Sequence, residues 1–221
     1  MRTIAVIARK GGSGKTTVAV HLAIAAHLRG KQTLLADSDP QRSSSTVLRG
    51  REACGPAFCE TSGPELLRVQ TGAVRAGVEA LFIDTAAGAE DELAYAIVLA
   101  DLSLLVIRPT FLDFAAAIRT AEVLRRLRKP GLIVLNQAPV SRAGAEPPLV
   151  KKAQEALRIM RLPVAPTILR ARAAYQSALE GGRSAEEIGG PAAQAGEEVA
   201  GLWGYVERLA FGAAADERMR A

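Results

Sequence analysis

Short apolar runs alternate with longer stretches of helical periodicity along most of the chain. The apolar runs at 2–8, 32–37, 80–84, 102–108, 131–136 and 164–168 predict strands. Several of them, such as Leu81-Phe82-Ile83 and Leu104-Leu105-Val106, are apolar without alternation. That is the pattern of parallel strands covered on both faces. Helical spacing predicts helices over 15–29, 91–100, 112–128, 146–161, 171–180 and 192–211. The stretch 38–79 is the least legible, with one short helix near 43–49 and another at 64–76. Strand-then-helix order predicts a doubly wound α/β fold, a mostly parallel sheet with helices on both faces. Ligands in such folds sit at the carboxyl ends of the strands. No repeat or interdomain linker is visible, so residues 1–211 are expected to form one domain and 212–221 a short polar tail.

The last helix places Val199, Leu202, Trp203, Val206, Leu209 and Phe211 on roughly one face. A membrane surface could take such a stripe, but Glu197, Glu198 and Glu207 flank it where lysine and arginine would be needed. Core packing is the expectation.

Composition narrows the class. Of 221 residues, 49% are hydrophobic and only 4% aromatic, so the core is built mainly of Ala, Val, Leu and Ile. No apolar run approaches the roughly 20 residues of a membrane span. The N-terminal run is too short for a signal peptide, and a cytoplasmic location is expected. Cys54 and Cys59 fit no common zinc or redox spacing and read as reduced thiols.

Charge is uneven. Residues 1–118 are balanced, 119–183 carry 13 basic against 4 acidic side chains, and 184–221 are acidic. An excess of this kind fits either an anionic partner such as nucleic acid or an ordinary solvated surface. With so few aromatics, a nucleic acid would be held by its phosphates rather than by base stacking.

The stretch Arg9-Lys10-Gly11-Gly12-Ser13-Gly14-Lys15-Thr16-Thr17 lies between the first strand and the first helix. A strand, a glycine loop ending in Gly-Lys-Thr and a helix make a phosphate-binding loop. Backbone N–H groups of Gly11, Gly12, Ser13 and Gly14 would cradle phosphate oxygens, helped by the helix N-terminus. Lys15 would reach the β- and γ-phosphates, and the Thr16 hydroxyl would ligate Mg²⁺. The common pattern G-x-x-x-x-G-K-[ST] wants glycine where this chain has Arg9, and a second lysine, Lys10, precedes the Gly-Gly pair.

Further acidic groups follow predicted strands. Asp37-Ser38-Asp39-Pro40-Gln41 puts two carboxylates at a strand end, suited to Mg²⁺ and an attacking water or simply to a polar turn. Asp84 ends an apolar strand and is followed by the small residues Thr85-Ala86-Ala87-Gly88. Arg108-Pro109-Thr110-Phe111-Leu112-Asp113-Phe114 and Asn136-Gln137 follow strands on the same sheet edge. Asn136 could contact a base or serve as a buried turn residue.

On these motifs, together with Val134-Leu135-Asn136 and Thr167-Ile168-Leu169-Arg170-Ala171-Arg172, the chain resembles the ParA/MinD family of deviant-Walker ATPases over about residues 2–210. It is most similar to the short ParA partition proteins. The resemblance implies ATP and Mg²⁺ as cofactors. Lys10 becomes the family's signature lysine, which crosses a dimer interface to the partner's nucleotide. Lys15, Thr16 and Thr17 hold phosphates and Mg²⁺, and Asp39 positions the hydrolytic water. Asp37 supports the metal shell, Asp84 acts through a metal-bound water, and Asn136 falls at the adenine. Ala86 and Leu169 depart from the family pattern, which has proline at both places.

The resemblance also implies an ATP-dependent homodimer that binds DNA without sequence preference. Arg142, Lys151, Lys152, Arg170 and Arg172 are the candidate contacts. A ParB-like or other adaptor would stimulate slow hydrolysis, with the protein on the nucleoid and its cargo a plasmid, a chromosome or another large body. The chain leaves no room before residue 2 for the helix-turn-helix extension of longer members, so operator-specific repression is not expected. A membrane ATPase of the MinD type and an ATP-dependent ligase of the same superclass are the alternatives.

Overall fold

The computed structural model describes residues 1–88, 90–141 and 145–212. Strands β1 (Arg2–Ile7), β2 (Thr33–Asp37), β3 (Ala57–Glu60), β4 (Ala80–Asp84), β5 (Leu102–Ile107) and β6 (Gly131–Leu135) form one sheet in the order β3-β2-β4-β1-β5-β6. Every pairing is parallel. Strand β1 is central, with β2, β3 and β4 to one side and β5 and β6 to the other. The order reverses beside β1, so the crevice for a ligand opens at its carboxyl end.

Helices cover both faces. They are α1 (Lys15–Leu28), α2 (Ser43–Arg49), α3 (Leu66–Arg75), α4 (Glu90–Leu99), α5 (Phe111–Arg126), α6 (Pro148–Leu157), α7 (Ala173–Glu180) and α8 (Ala193–Phe211). Alternate strand residues divide between two cores. Ile4, Val6, Leu35, Phe82, Leu104 and Val134 pack with α1, α7 and α8. Ala5, Ile7, Ala36, Leu81, Ile83, Leu105 and Leu135 pack with α4, α5 and α6. Both sets are buried, which is why these strands read as continuous apolar runs.

Helix α8 faces the core, as its stripe predicts. Val199, Leu202, Trp203 and Val206 are buried, and Leu209 and Phe211 pack against them. The Trp203 ring lies 6.0 Å from Phe82 and 6.2 Å from Phe211, centroid to centroid. Rings this size contribute about 3–5 kcal/mol to a core. Among the described residues no helix is long and apolar enough to cross a membrane.

Three elements differ from the sequence reading. The run at 164–168 is not a strand. It touches β6 at one isolated bridge, Ile133 to Val164, where Ile133 N–H donates to the Pro163 carbonyl at 2.8 Å. Pro163 and Pro166 lack the N–H groups that a ladder requires. Conversely, β3 is a four-residue edge strand, half exposed and ending in Glu60, whose three apolar residues Ala57-Phe58-Cys59 are too short a run to announce it. The helix expected over 146–161 is α6 followed by a 3-10 turn, Arg158–Met160. Residues 213–221 of the expected tail lie outside the described residues.

Candidate functional site

The loop between β1 and α1 lies at the carboxyl edge of the central strand. Gly12 and Gly14 hold φ of 74° and 88°, the left-handed region that glycine enters without a Cβ penalty. A Cβ on Gly14 would lie 2.3 Å from the Asn136 amide nitrogen. Helix α1 has no acidic residue in its first turn, so its positive end stays uncompensated and open to an anion.

Lys15 begins α1 and is only 7% exposed. Burial lowers its ammonium below the ordinary lysine range, while Asp84 and Asp39 oppose that shift. A buried lysine facing two carboxylates suits an anion that enters with a counter-cation.

Asp84 ends β4 in register with Asp37 at the end of β2. Its carboxylate is fully buried, and neither oxygen makes a well-formed hydrogen bond. Burial raises its pKa to about 7, and the Asp37 charge adds to that. The nearby Thr16 and Ser44 hydroxyls and the Lys15 ammonium pull the other way. An orphaned buried carboxylate beside Thr16 and Lys15 fits a hydrated Mg²⁺. Ligands for that ion would come largely from phosphate, hydroxyl and water, because no group of three or more His, Cys, Asp and Glu converges among the described residues.

A carboxyl whose pKa is raised costs the fold stability once it ionises. That cost is absent below the ordinary aspartate value of 3.8, grows from there, and reaches its full size above about pH 7. Asp84→Asn is therefore expected to stabilise the nucleotide-free protein by on the order of 2 kcal/mol at pH 8, and by much less at pH 4. Urea midpoints at the two pH values check this. Equal effects at both would contradict the origin given to the shift.

Asp37 is buried and its carboxylate is occupied by backbone. Oδ1 accepts the Asp39 N–H at 3.2 Å and Oδ2 the Ser45 N–H at 2.9 Å. Ser38 donates from N and Oγ to the Asp84 carbonyl, both at 2.9 Å. Arg42, at φ 53°, folds back so that Nη1 donates to the carbonyls of Asp37 and Thr61. These bonds hold Asp39 half-exposed at the rim, with Oδ1 accepting the Gln41 N–H at 2.9 Å. Lys10 is also half-exposed and makes no hydrogen bond or ion pair among the described residues.

Asn136 lies under the loop. It is buried and donates from Nδ2 to the Ser13 carbonyl at 2.8 Å, and Gln137 Nε2 donates to the Gly12 carbonyl at 3.0 Å. The part of the buried turn asparagine is thus filled, and Gln137 joins it. Sequence reasoning also missed Arg108, whose guanidinium lies over Gly12. Its motif was visible, but the approach to the loop depends on β5 lying beside β1.

The structure therefore gathers Lys10, Gly11 to Thr17, Asp37, Asp39, Asp84 and Asn136 at one edge. The basic candidates are not part of this cluster among the described residues. Lys151 and Lys152 are exposed on α6, and Lys151 lies near enough to Glu146 to help Arg170 hold its carboxyl below the usual range. Arg170 and Arg172 are not free charges. Arg170 forms a two-pronged pair with Glu146 at 2.7 and 2.8 Å, and Arg172 binds Glu198 at 2.8 Å. Arg142 lies outside the described residues. A cleft of about 460 Å³ lined by Arg2, Asp101, Lys129 and Leu162 opens at the amino ends of the strands, away from this chemistry.

The family model described as the CobQ/CobB/MinD/ParA nucleotide binding domain matches residues 4–203. The chain belongs to this family. Among curated relatives, the maintenance of carboxysome distribution protein A of Gloeobacter kilaueensis is 33% identical over 187 residues, spanning 81% of this chain and 82% of that protein. The cell division ATPase MinD of Pyrococcus furiosus superposes with a TM-score of 0.77 at 21% identity, covering 95% of this chain and 99% of the other. An ATP complex of McdA from Cyanothece superposes at 0.76 and 17% identity, covering 93% and 96%. The six-stranded parallel sheet is the ParA/MinD P-loop fold.

Proposed function

We propose that this ParA/MinD-family protein is a positioning ATPase. It dimerises with ATP, binds DNA without sequence preference, and hydrolyses ATP slowly to release both. The observation that carries this reading is the combination at one edge of a deviant phosphate loop, an unpaired Lys10 at its crown, and the carboxylates of Asp39 and Asp84 around Lys15. Asp37-Ser38-Asp39-Pro40-Gln41 and the basic segment 119–183 count against an ATP-dependent ligase of the same superclass.

In this reading Gly11 to Thr17 bind the phosphates, with Lys15 as the buried countercharge. Mg²⁺, held by Thr16 with Asp37 and Asp84 on its flank, would neutralise phosphate charge. Asp39 orients the attacking water and accepts its proton. Asn136 contacts the adenine with the part of its amide not bonded to Ser13. Lys10 crosses to the partner's phosphates, so nucleotide and dimer interface become one structure. An adaptor protein completes the cycle by stimulating hydrolysis.

The track is proposed to be nucleoid DNA. Lys151 and Lys152 on α6, with Arg119, Arg125 and Arg126 on α5, are exposed, and none of them forms a salt bridge among the described residues. Arg170 and Arg172 contribute less, because each already faces a carboxylate. The membrane alternative is disfavoured because α8 spends its apolar face in the core. The relative named for carboxysome distribution makes a large protein assembly as good a cargo as a plasmid or chromosome.

Gel shifts on random-sequence duplex test the DNA reading. With Mg²⁺ and ATP the protein is expected to bind, and affinity should fall at least about tenfold between roughly 50 and 200 mM salt. Binding that ignores salt or nucleotide, or no binding at low salt, would contradict it.

A further inference from the structure

The Arg108 motif follows β5, and nothing in the proposed cycle uses it. Strand β5 pairs with β1, with Ile7 opposite Leu105, so Arg108 emerges level with the start of the phosphate loop. Its guanidinium is divided between two directions. On one side Nε and Nη2 face the buried Asp113 carboxylate, with Nη2 3.1 Å from Oδ2 and both nitrogens 3.4 Å from Oδ1. On the other side Nη1 lies 3.7 Å from the point a Cβ on Gly12 would occupy. It has no protein partner among the described residues.

Asp113 is itself fixed. It is 4% exposed, accepts the Thr110 hydroxyl, and sits in the first turn of α5. The carboxylate thus orients Arg108 rather than consuming it. A planar guanidinium with one edge tethered and the other turned to a phosphate loop is arranged for phosphate recognition. The crown at Gly12 is open because glycine has no side chain there, and Gly12 takes a φ of 74°.

We propose that Arg108 is a second cationic ligand of the terminal phosphate of the nucleotide bound in its own subunit. It would act from the opposite side to Lys15 and would be held in place by Asp113. The inference rests on the nucleotide-site reading above. It gives this chain three cations around the transferring group, two of its own and Lys10 from the partner. A preorganised donor aimed at developing phosphoryl charge needs no rearrangement when the reaction occurs.

The test compares wild type, Arg108→Gln and Arg108→Lys. Binding of a non-hydrolysable ATP analogue and of ADP, each with Mg²⁺, is titrated at concentrations where light scattering shows a monomer. Arg108→Gln is expected to weaken the analogue at least about tenfold, a loss of about 1.4 kcal/mol, and ADP less than about twofold. Arg108→Lys should fall between, because one ammonium cannot serve Asp113 and a phosphate together. Thermal midpoints report whether the fold survives. Equal loss for analogue and ADP, or no loss for either, would overturn the proposal. Lys15→Ala is the control. If it keeps wild-type ATP affinity, the nucleotide-site reading itself fails; if only the Arg108 variants behave as wild type, this inference alone fails.

Discussion

Asp39→Ala is expected to bind ATP within about twofold of wild type while its turnover falls at least about 100-fold, the usual scale for removing a catalytic base. The structure explains why binding should survive. Asp39 stands at the rim, half-exposed, and the loop that carries it is held by others. Asp37 accepts two backbone N–H groups, Ser38 is tied to Asp84, and Arg42 clasps the carbonyls of Asp37 and Thr61. Removing the Asp39 carboxylate loses one bond, to the Gln41 N–H, and one charge near Lys15. The buried groups around the phosphates stay. A variant that binds but does not hydrolyse should remain dimeric on DNA after ATP is added, where wild type dissociates. Phosphate release and a DNA-dissociation trace measure both halves. Normal turnover would remove Asp39 from the role given to it.

Lys10→Ala is expected to act on a different step. Lys10 supports nothing in its own subunit among the described residues. Folding and monomeric nucleotide binding should therefore change little. In the dimer its ammonium would meet a phosphate in a dry interface, and truncating one side of such a pair costs about 2–5 kcal/mol. The dimer is then expected to weaken by at least about 30-fold, with turnover falling in proportion because the proposed cycle hydrolyses ATP in the dimer. Asp39→Ala and Lys10→Ala thus separate the two parts of the cycle. One keeps the dimer and stops the chemistry, and the other loses the dimer and with it the chemistry.

Much of this was visible in the chain. Five strands are continuous apolar runs because both faces of the sheet are covered, and burial on both faces leaves no polar alternation to confuse the reading. The phosphate loop is legible because its requirements are local: two positive-φ glycines, a lysine and a hydroxyl in eight residues. Strand β3 was hidden because its apolar run, Ala57-Phe58-Cys59, is only three residues long on a half-exposed edge ending in Glu60. The segment at 164–168 misled for the opposite reason. Val164 and Ile168 are apolar because they cover the core on the α4–α6 side, while Pro163 and Pro166 prevent a ladder. Long-range contacts were the other blind spot. Arg170 meets Glu146 and Arg172 meets Glu198 across 24 and 26 residues, so two of the basic candidates are held in ion pairs that sequence spacing does not reveal. Arg108 reaches Gly12 only because β5 lies beside β1.

The central claim is that ATP assembles the dimer through Lys10. The most direct measurement is the solution mass by light scattering with Mg²⁺–ATP and with Mg²⁺–ADP, for the Asp39→Ala protein with and without Lys10→Ala. Asp39→Ala prevents turnover from blurring the result. The expected outcome is a dimer with ATP, a monomer with ADP, and a monomer in both when Lys10 is replaced. A mass that ignores the nucleotide, or an ATP dimer that survives the loss of Lys10, would contradict the account.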